Sequence, residues 1–500
     1  MRKRFMAGSA LPVVGLMTAM FGTGAQAAGA GGSFTNFTVA QTPGVVCPGS
    51  SQCKNPAAEP AIRADGDGNF FGSSENGLGG GTEAWRSFDG GLHYEALQSP
   101  NGVSSANDTG FAPGGGDTDL AVATARNAAG NYNVYVSSLT LLNVDVSTST
   151  DKGSTWQLNP VGADVGGADD REWIAADGAS KVCVSYHDAE QNIDVNCSFD
   201  AGLTFPQFAS ATDPAHAFQI SENEIGNLAI DPTTHDVYQT YSAITTAAET
   251  TCAPQLGVVT GSCNYHGVYM AVSTDGGATF TDYPVYINPD PTVGYGHQFV
   301  NVSVDKAGNV YSVYTDDHHV YYSFSTNHGQ TWSGPFLISG TSGTQIFPWS
   351  TAGDAGKLDV VYYQTPYFDG VNTPDNYPSS ASWTVGFAQN LRALTPGSAW
   401  SRQTASPVVH FGGVCEAGVT CTGNRDLFDD FGVAASPTTG LASIIYSDDQ
   451  YDSSGLTSAS CASPSDSNTS NCDHTAIATQ QSGNGIFAAA NGGHKPPKKP

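Results

Sequence analysis

Positive charge is what this chain has least of. Its 500 residues include 18 Lys and Arg against 46 Asp and Glu, a formal net charge of −28. No basic stripe can offset so negative a surface, which excludes nucleic acid as a partner. Charge of either sign is scarce, at 13% of residues, against roughly 25% in ordinary globular domains. The Ala-, Glu-, Lys- and Leu-rich heptads of a coiled coil are missing. No apolar run is long enough to span a bilayer. There is no CxxC pair and no HExxH helix, so the cysteines read as disulfides and not as zinc ligands. No GxSxG elbow is present, and Gly77-Leu78-Gly79-Gly80-Gly81 lacks the following Lys-Ser/Thr of a phosphate cradle.

Aromatic residues, by contrast, are plentiful: 21 Tyr, 23 Phe and 7 Trp can build a large core and exclude a disordered acidic tail. Arg2, Lys3 and Arg4, the apolar stretch Ala10 to Phe21 and Ala25-Gln26-Ala27 have the form of an export signal over residues 1–27. Its removal would take the net charge from −28 to −31, three basic residues being lost. A secreted, extracellular chain is therefore expected. The 10 cysteines fall into near neighbours, Cys47/Cys53, Cys183/Cys197, Cys252/Cys263, Cys415/Cys421 and Cys461/Cys472, for which sequential pairing is the simplest expectation. Residues 491–500 read as a Pro/Lys-rich disordered tail.

An octet of the form Ser-x-Asp-x-Gly-x-x-aromatic recurs. It stands at Ser87–Tyr94, Ser149–Trp156, Ser198–Phe205, Ser273–Phe280 and, with Asn327 for the Asp, Ser325–Trp332. The carboxylate can accept turn N–H groups, Gly supplies a positive φ, and the closing aromatic anchors the turn. Ahead of each octet lie three alternating apolar runs, such as 299–305, 310–316 and 319–326. These read as short antiparallel strands. Two further units, around 357–365 and from Asp429 to Ala478, lack a clean octet. Openers at Glu59, Asp117, Arg171, Gly226, Phe299, Phe347 and Asp429 count seven units. The predicted fold is all-β: a single β-propeller of four-stranded blades over residues 28–490, seven blades favoured over six. The run 33–40 is expected to complete the last blade and close the ring.

This pattern resembles the Asp-box (BNR repeat) proteins of the sialidase-like β-propeller superfamily, over nearly the whole mature chain. The resemblance implies that the octets are structural turns far from the active face. It also implies a carbohydrate-active enzyme, a glycoside hydrolase or polysaccharide lyase, working on an extracellular polysaccharide or glycoconjugate. Sialidases grip the substrate carboxylate with an arginine triad and use a Tyr–Glu pair and an Asp acid/base. Here the position of the first arginine holds Ala58, so true exo-sialidase activity is not expected.

One face of a propeller is built from the loops entering each innermost strand and those joining second to third strands. The entering loops bring Asp117, Asp119, Asp169, Asp170, Arg171, Glu222, Glu224, His297, Arg425, Asp426, Asp429 and Asp430 to that mouth. The others bring Glu75, His187, Asp188, Glu190, Asp316, Asp317, His318, Tyr367, Asp448, Asp449 and Tyr451. Glycoside cleavage usually needs one carboxylic acid and a second carboxylate. Asp169, Asp170, Glu224 and Asp426 are the catalytic candidates. Arg171, Arg425, His187, His297, His318, Tyr367 and Tyr451 are candidates for substrate binding. Two other readings stand beside this one: Asp residues that merely cap turns, with Arg171 paired to Asp170 and Arg425 to Asp426, and calcium held by oxygen ligands such as Asp169, Asp170, Asp316 or Asp317, the last two above all. No other cofactor is implied, and a monomer is expected. A non-catalytic propeller that binds glycan or protein through the same mouth is the rival function.

Overall fold

The computed structural model describes residues 32–45, 59–102, 114–140, 143–162, 169–253, 263–370, 372–415, 421, 425–450 and 474–488. These form seven separate four-stranded antiparallel sheets, the blades of a propeller. The innermost strands of blades 1 to 7 are Ala61–Ala64, Thr118–Arg126, Asp170–Asp177, Asn223–Ile230, Asn301–Val304, Thr344–Ala352 and Gly432–Ala435. Each unit opener lies within its strand or one to three residues before it. Both faces of a blade are covered by its neighbours, so strands such as Val237–Ala243 and Gly267–Ser273 are buried at every position. The buried apolar side chains accordingly form clusters between blades.

The ring closes through its N-terminal strand. Phe34–Thr38 adds to the outer edge of blade 7, antiparallel to His474–Gln480, from Phe34 opposite Gln480 to Thr38 opposite Ala476. The last blade thus combines the N-terminal strand with three late strands, and Phe34–Thr38 becomes its outermost strand, covering the edge of His474–Gln480.

The five octets join third to fourth strands, on the face opposite the mouth. In the second, Asp151 Oδ1 accepts the Thr155 N–H at 2.8 Å and the Ser149 hydroxyl at 2.8 Å, and Ser149 Oγ accepts the Gly153 N–H at 2.7 Å. Asp200, Asp275 and Asn327 repeat these bonds. Against partial burial, the bonds from Thr279 and Ser273 hold the Asp275 carboxyl down at about 2. Each turn also fastens its blade to the one before. Thr479 Oγ1 of blade 7 donates to Gly91 O at 2.6 Å, Thr148 Oγ1 of blade 2 to Ala201 O at 2.9 Å, and Gln207 Nε2 of blade 3 to Gly276 O at 3.1 Å. The octet glycine allows this approach, since Gly277 sits at φ +98° and a Cβ there would meet Cys197 Sγ at 2.9 Å.

Three disulfides have the sequential pairing: Cys183–Cys197, directly opposite each other across two strands, Cys252–Cys263 and Cys415–Cys421. Such bonds fit an oxidising environment. Cys47, Cys53, Cys461, Cys472, Ala58, the signal region and the C-terminal tail lie outside the described residues. No helix among the described residues is long and apolar enough to cross a membrane.

The octet geometry carries a test. Gly277→Ala combines a left-handed backbone with a clash against the neighbouring blade, and is expected to cost about 2–4 kcal/mol in denaturant unfolding.

Candidate active site

Where the innermost strands begin, four residues other than glycine hold left-handed backbone: Glu59 at φ +46°, Arg171 at +50°, Phe347 at +50° and Phe428 at +53°. Such conformations are unfavourable and persist only where surrounding contacts impose them. For Arg171 the cause is visible. The register of blade 3 shifts between Asp170 and Glu172, a bulge that takes Arg171 out of the alternation and turns it to the propeller axis.

Arg171 is there nearly surrounded, with its side chain 7% exposed. Nη1 meets Glu59 Oε2 of blade 1 at 2.5 Å and Asp117 Oδ2 of blade 2 at 3.4 Å, and Nη2 meets Asp430 Oδ2 of blade 7 at 3.4 Å. The guanidinium lies 3.9 Å from the ring centre of Phe299 of blade 5 and 5.0 Å from that of Trp173. Arg425 stands beside it, 2.7 Å from Asp429 Oδ2 and 3.6 Å from Glu59 Oε1. The arginines therefore do not pair with Asp170 and Asp426. Their partners come mostly from other blades.

Below this layer Trp173 packs on Trp349 at 5.1 Å, and Arg63 lies over Trp349 while bonding Asp119 at 2.8 Å. Arg63 and Trp349 also wall an axial cavity of about 280 Å³ lined by the far ends of the inner strands.

Carboxylates outnumber guanidinium groups at the mouth, and burial shifts them strongly. Glu75 is pushed up to about 8 by burial and then by Asp117. Glu224 is pushed up to about 8 by burial and then by Asp170, and Asp430 to about 7 by burial. Glu59, Asp119, Asp170 and Glu172 are raised, burial again being the first cause. At neutral pH the mouth is thus a mixture of neutral acids and carboxylates, the arrangement general acid–base chemistry requires. Oxygens of Glu59, Glu75 and Asp117 lie within 4.8 Å of one another, a spacing that could hold a cation. Glu59, however, already faces both arginines, so guanidinium supplies the positive charge this trio needs.

The predicted site residues separate into groups. Asp170 and Glu224, on blades 3 and 4, face the Arg171 cluster, with Asp169 half-buried one residue before. His297 is also a charge neighbour of Glu224, and its Nδ1 lies 2.5 Å from Asp317 Oδ2. Despite burial, Asp317 raises the His297 pKa. His187 is buried against Asn223 Oδ1 at 2.8 Å, and burial lowers its pKa. Asp426 stands apart, buried in a group with His410 and Asp449. There His410 Nδ1 meets Asp449 Oδ2 at 2.7 Å. Tyr367 donates its hydroxyl to Asp369 at 3.0 Å, and His318 packs on Phe368. Tyr451 lies outside the described residues.

The calcium expectation meets a different use of its residues. Asp316 accepts the His318 and His319 N–H groups at 3.2 and 2.8 Å and the Tyr321 hydroxyl at 3.1 Å. Asp317 is taken by His297 and Gln298. These two carboxylates cap a turn and hold a histidine, and they belong to none of the three ligand-like groups found among the described residues.

Sequence reasoning passed over Glu59 and Glu172. Glu59 had a legible sign, since it opens blade 1 as Arg171 opens blade 3. Glu172 had none, being one more position in an alternating strand.

Neither a protein-family model nor a curated protein matches this chain. Solved structures similar to it include the α-L-arabinofuranosidase Arb93A of Fusarium graminearum, at 14% identity over 70% of this chain and 97% of that one, TM-score 0.42. Another is the GH74 xyloglucanase of Xanthomonas campestris, at 13% identity over 83% of this chain and 52% of that one, TM-score 0.46. A third is an Aleuria aurantia lectin bound to Fucα1-6GlcNAc, at 11% identity over 70% and 96%, TM-score 0.40. Likeness at this level says nothing about activity.

The buried acids set a pH dependence for stability. Glu75 and Glu224 titrate near 8 when folded, and near 4.3 when unfolded. Between those values the folded chain binds more protons, so this contribution is present at low pH and is lost as pH rises through about 8. Denaturant midpoints should be higher at pH 5 than at pH 8. Arg171→Met, which removes the charge facing Glu59, Asp117 and Asp430, should deepen the loss at pH 8 more than at pH 5.

Proposed function

We propose that this chain is a secreted member of the Asp-box, sialidase-like propellers and a glycoside hydrolase that cleaves an uncharged extracellular glycan at its mouth. The observation that carries the reading is Glu224: it stands half-buried at the mouth, where burial and then neighbouring Asp170 push its pKa up to about 8. A glycosidase needs such a pair, an acid to protonate the departing oxygen and a carboxylate to activate water or attack carbon. Glu224 is assigned as the acid. Asp170 opens its strand with its side chain reaching solvent while burial and then Asp117 raise its pKa, and it is assigned as the second carboxylate.

The substrate charge follows from electrostatics. Arg171 and Arg425 are each engaged by carboxylates, and Arg63 is held by Asp119. None of the three is left to grip an anionic sugar, and the surplus acids would repel one. A neutral glycan meets no such penalty, and its hydroxyls can bond both protonated and ionised carboxyls.

The test is turnover of neutral polysaccharides by purified protein, read as released saturated sugars. Glu224→Gln is expected to lower kcat by about 10²–10⁴-fold with no loss of thermal stability. An aryl glycoside whose leaving group needs no proton should recover most of that loss. Because the acid must be protonated, wild-type activity should fall as pH rises through about 8. Wild-type turnover by Glu224→Gln would overturn the assignment. Binding of glycan without any cleavage would favour a binding propeller.

A further inference from the structure

Blade 6 joins its second and third strands, Leu358–Thr365 and Ser382–Asn390, by a long loop on the mouth side. Most of that loop is fastened down. The Tyr377 hydroxyl lies 2.6 Å from Thr344 Oγ1, and its ring stacks on Trp383 at 6.0 Å and 15°. Tyr367 packs edge-on against Tyr377 at 4.8 Å and donates to Asp369, which also accepts the Asn372 N–H at 2.9 Å. Between these pinned residues Phe368 is turned outward, 41% exposed. Phe88, Phe199 and Phe208 are exposed as well, but they lie on octets or an outer strand, whereas Phe368 lies on a mouth-side loop, where an exposed ring can meet a ligand.

Phe368 does not stand alone. Its ring centre is 4.6 Å from that of His318, on the corresponding loop of blade 5. His318 is itself fixed, its carbonyl accepting the Gln345 N–H at 3.0 Å. The next residue back, Asp317, holds His297, a charge neighbour of Glu224. Asp375 of the blade 6 loop is in turn a charge neighbour of His297. The aromatic pair is therefore continuous with the proposed acid through blades 5 and 6.

We propose that Phe368 and His318 form a stacking platform for a sugar unit flanking the one at Glu224. Phenyl offers no hydrogen bond, so its occupant must present an apolar face. A sugar ring does so with its C–H groups, while its rim hydroxyls are free to bond His318 and the nearby carboxylates. The glycan then runs from the axis outward over blades 5 and 6. This inference rests on the mouth being the glycan site.

Binding measured in the Glu224→Gln protein, free of turnover, tests the platform. The probes are neutral arabino-, xylo- and gluco-oligosaccharides, from disaccharide to hexasaccharide, read by calorimetry. Adding Phe368→Ala should weaken binding of the longer oligomers about tenfold and of the disaccharide much less. Phe368→Trp should restore it. Equal binding by the Phe368→Ala and parent proteins overturns the platform while leaving the hydrolase reading intact. Loss of binding in Phe368→Ala, with Glu224→Gln still cleaving at the wild-type rate, keeps the platform and removes the catalytic assignment. No binding of any probe to the parent protein overturns the platform.

Discussion

The ion cluster around Arg171 is the constraint on which the rest of the mouth depends. One buried guanidinium on the axis receives carboxylates from blades 1, 2 and 7 and the ring of Phe299 from blade 5. A charge so far from water is tolerable only with such partners. The carboxylates are equally bound to it, since Glu59 is almost wholly buried. Burial, together with the excess of acids over guanidinium groups, pushes several of the carboxyl pKa values up. The raised carboxyl groups at the mouth are thus a consequence of how it is held together.

The two faces of the propeller divide the work. On one, five octets spend their Asp or Asn on turn N–H groups, and their glycines let neighbouring blades touch. That face is built for rigidity, and its carboxylates are pulled down or exposed. On the other, carboxylates converge from different blades without enough hydrogen bonds to satisfy them all. Both oxygens of Glu172 lack a partner.

Much of this was legible in the sequence for a simple reason. Strand alternation and turn chemistry are local, so the octets and the runs before them located the blades, and the openers fell at or beside the inner strands. Knowing which loops share a face was enough to bring Asp170, Glu224 and His297 to the mouth. Partnership was not legible. Arg171 was matched with its neighbour Asp170, but successive strand residues point to opposite faces, and a bulge moved Arg171 to the axis. Asp426, only four residues before Asp430, turns to His410 and Asp449 instead.

The sequence by itself determined the repeat, the strands that make up the blades and the face on which acidic residues gather, and it favoured seven blades, a closing N-terminal strand and sequential disulfides. All of these follow from spacing over a few residues to one blade. The tertiary structure alone decided that Glu59, Asp117 and Asp430 meet one arginine, that Asp316 and Asp317 serve a turn and a histidine, and that Phe368 stands exposed beside His318. Those contacts join residues from different blades, and their geometry is set by blade packing and local bulges, which no linear spacing encodes.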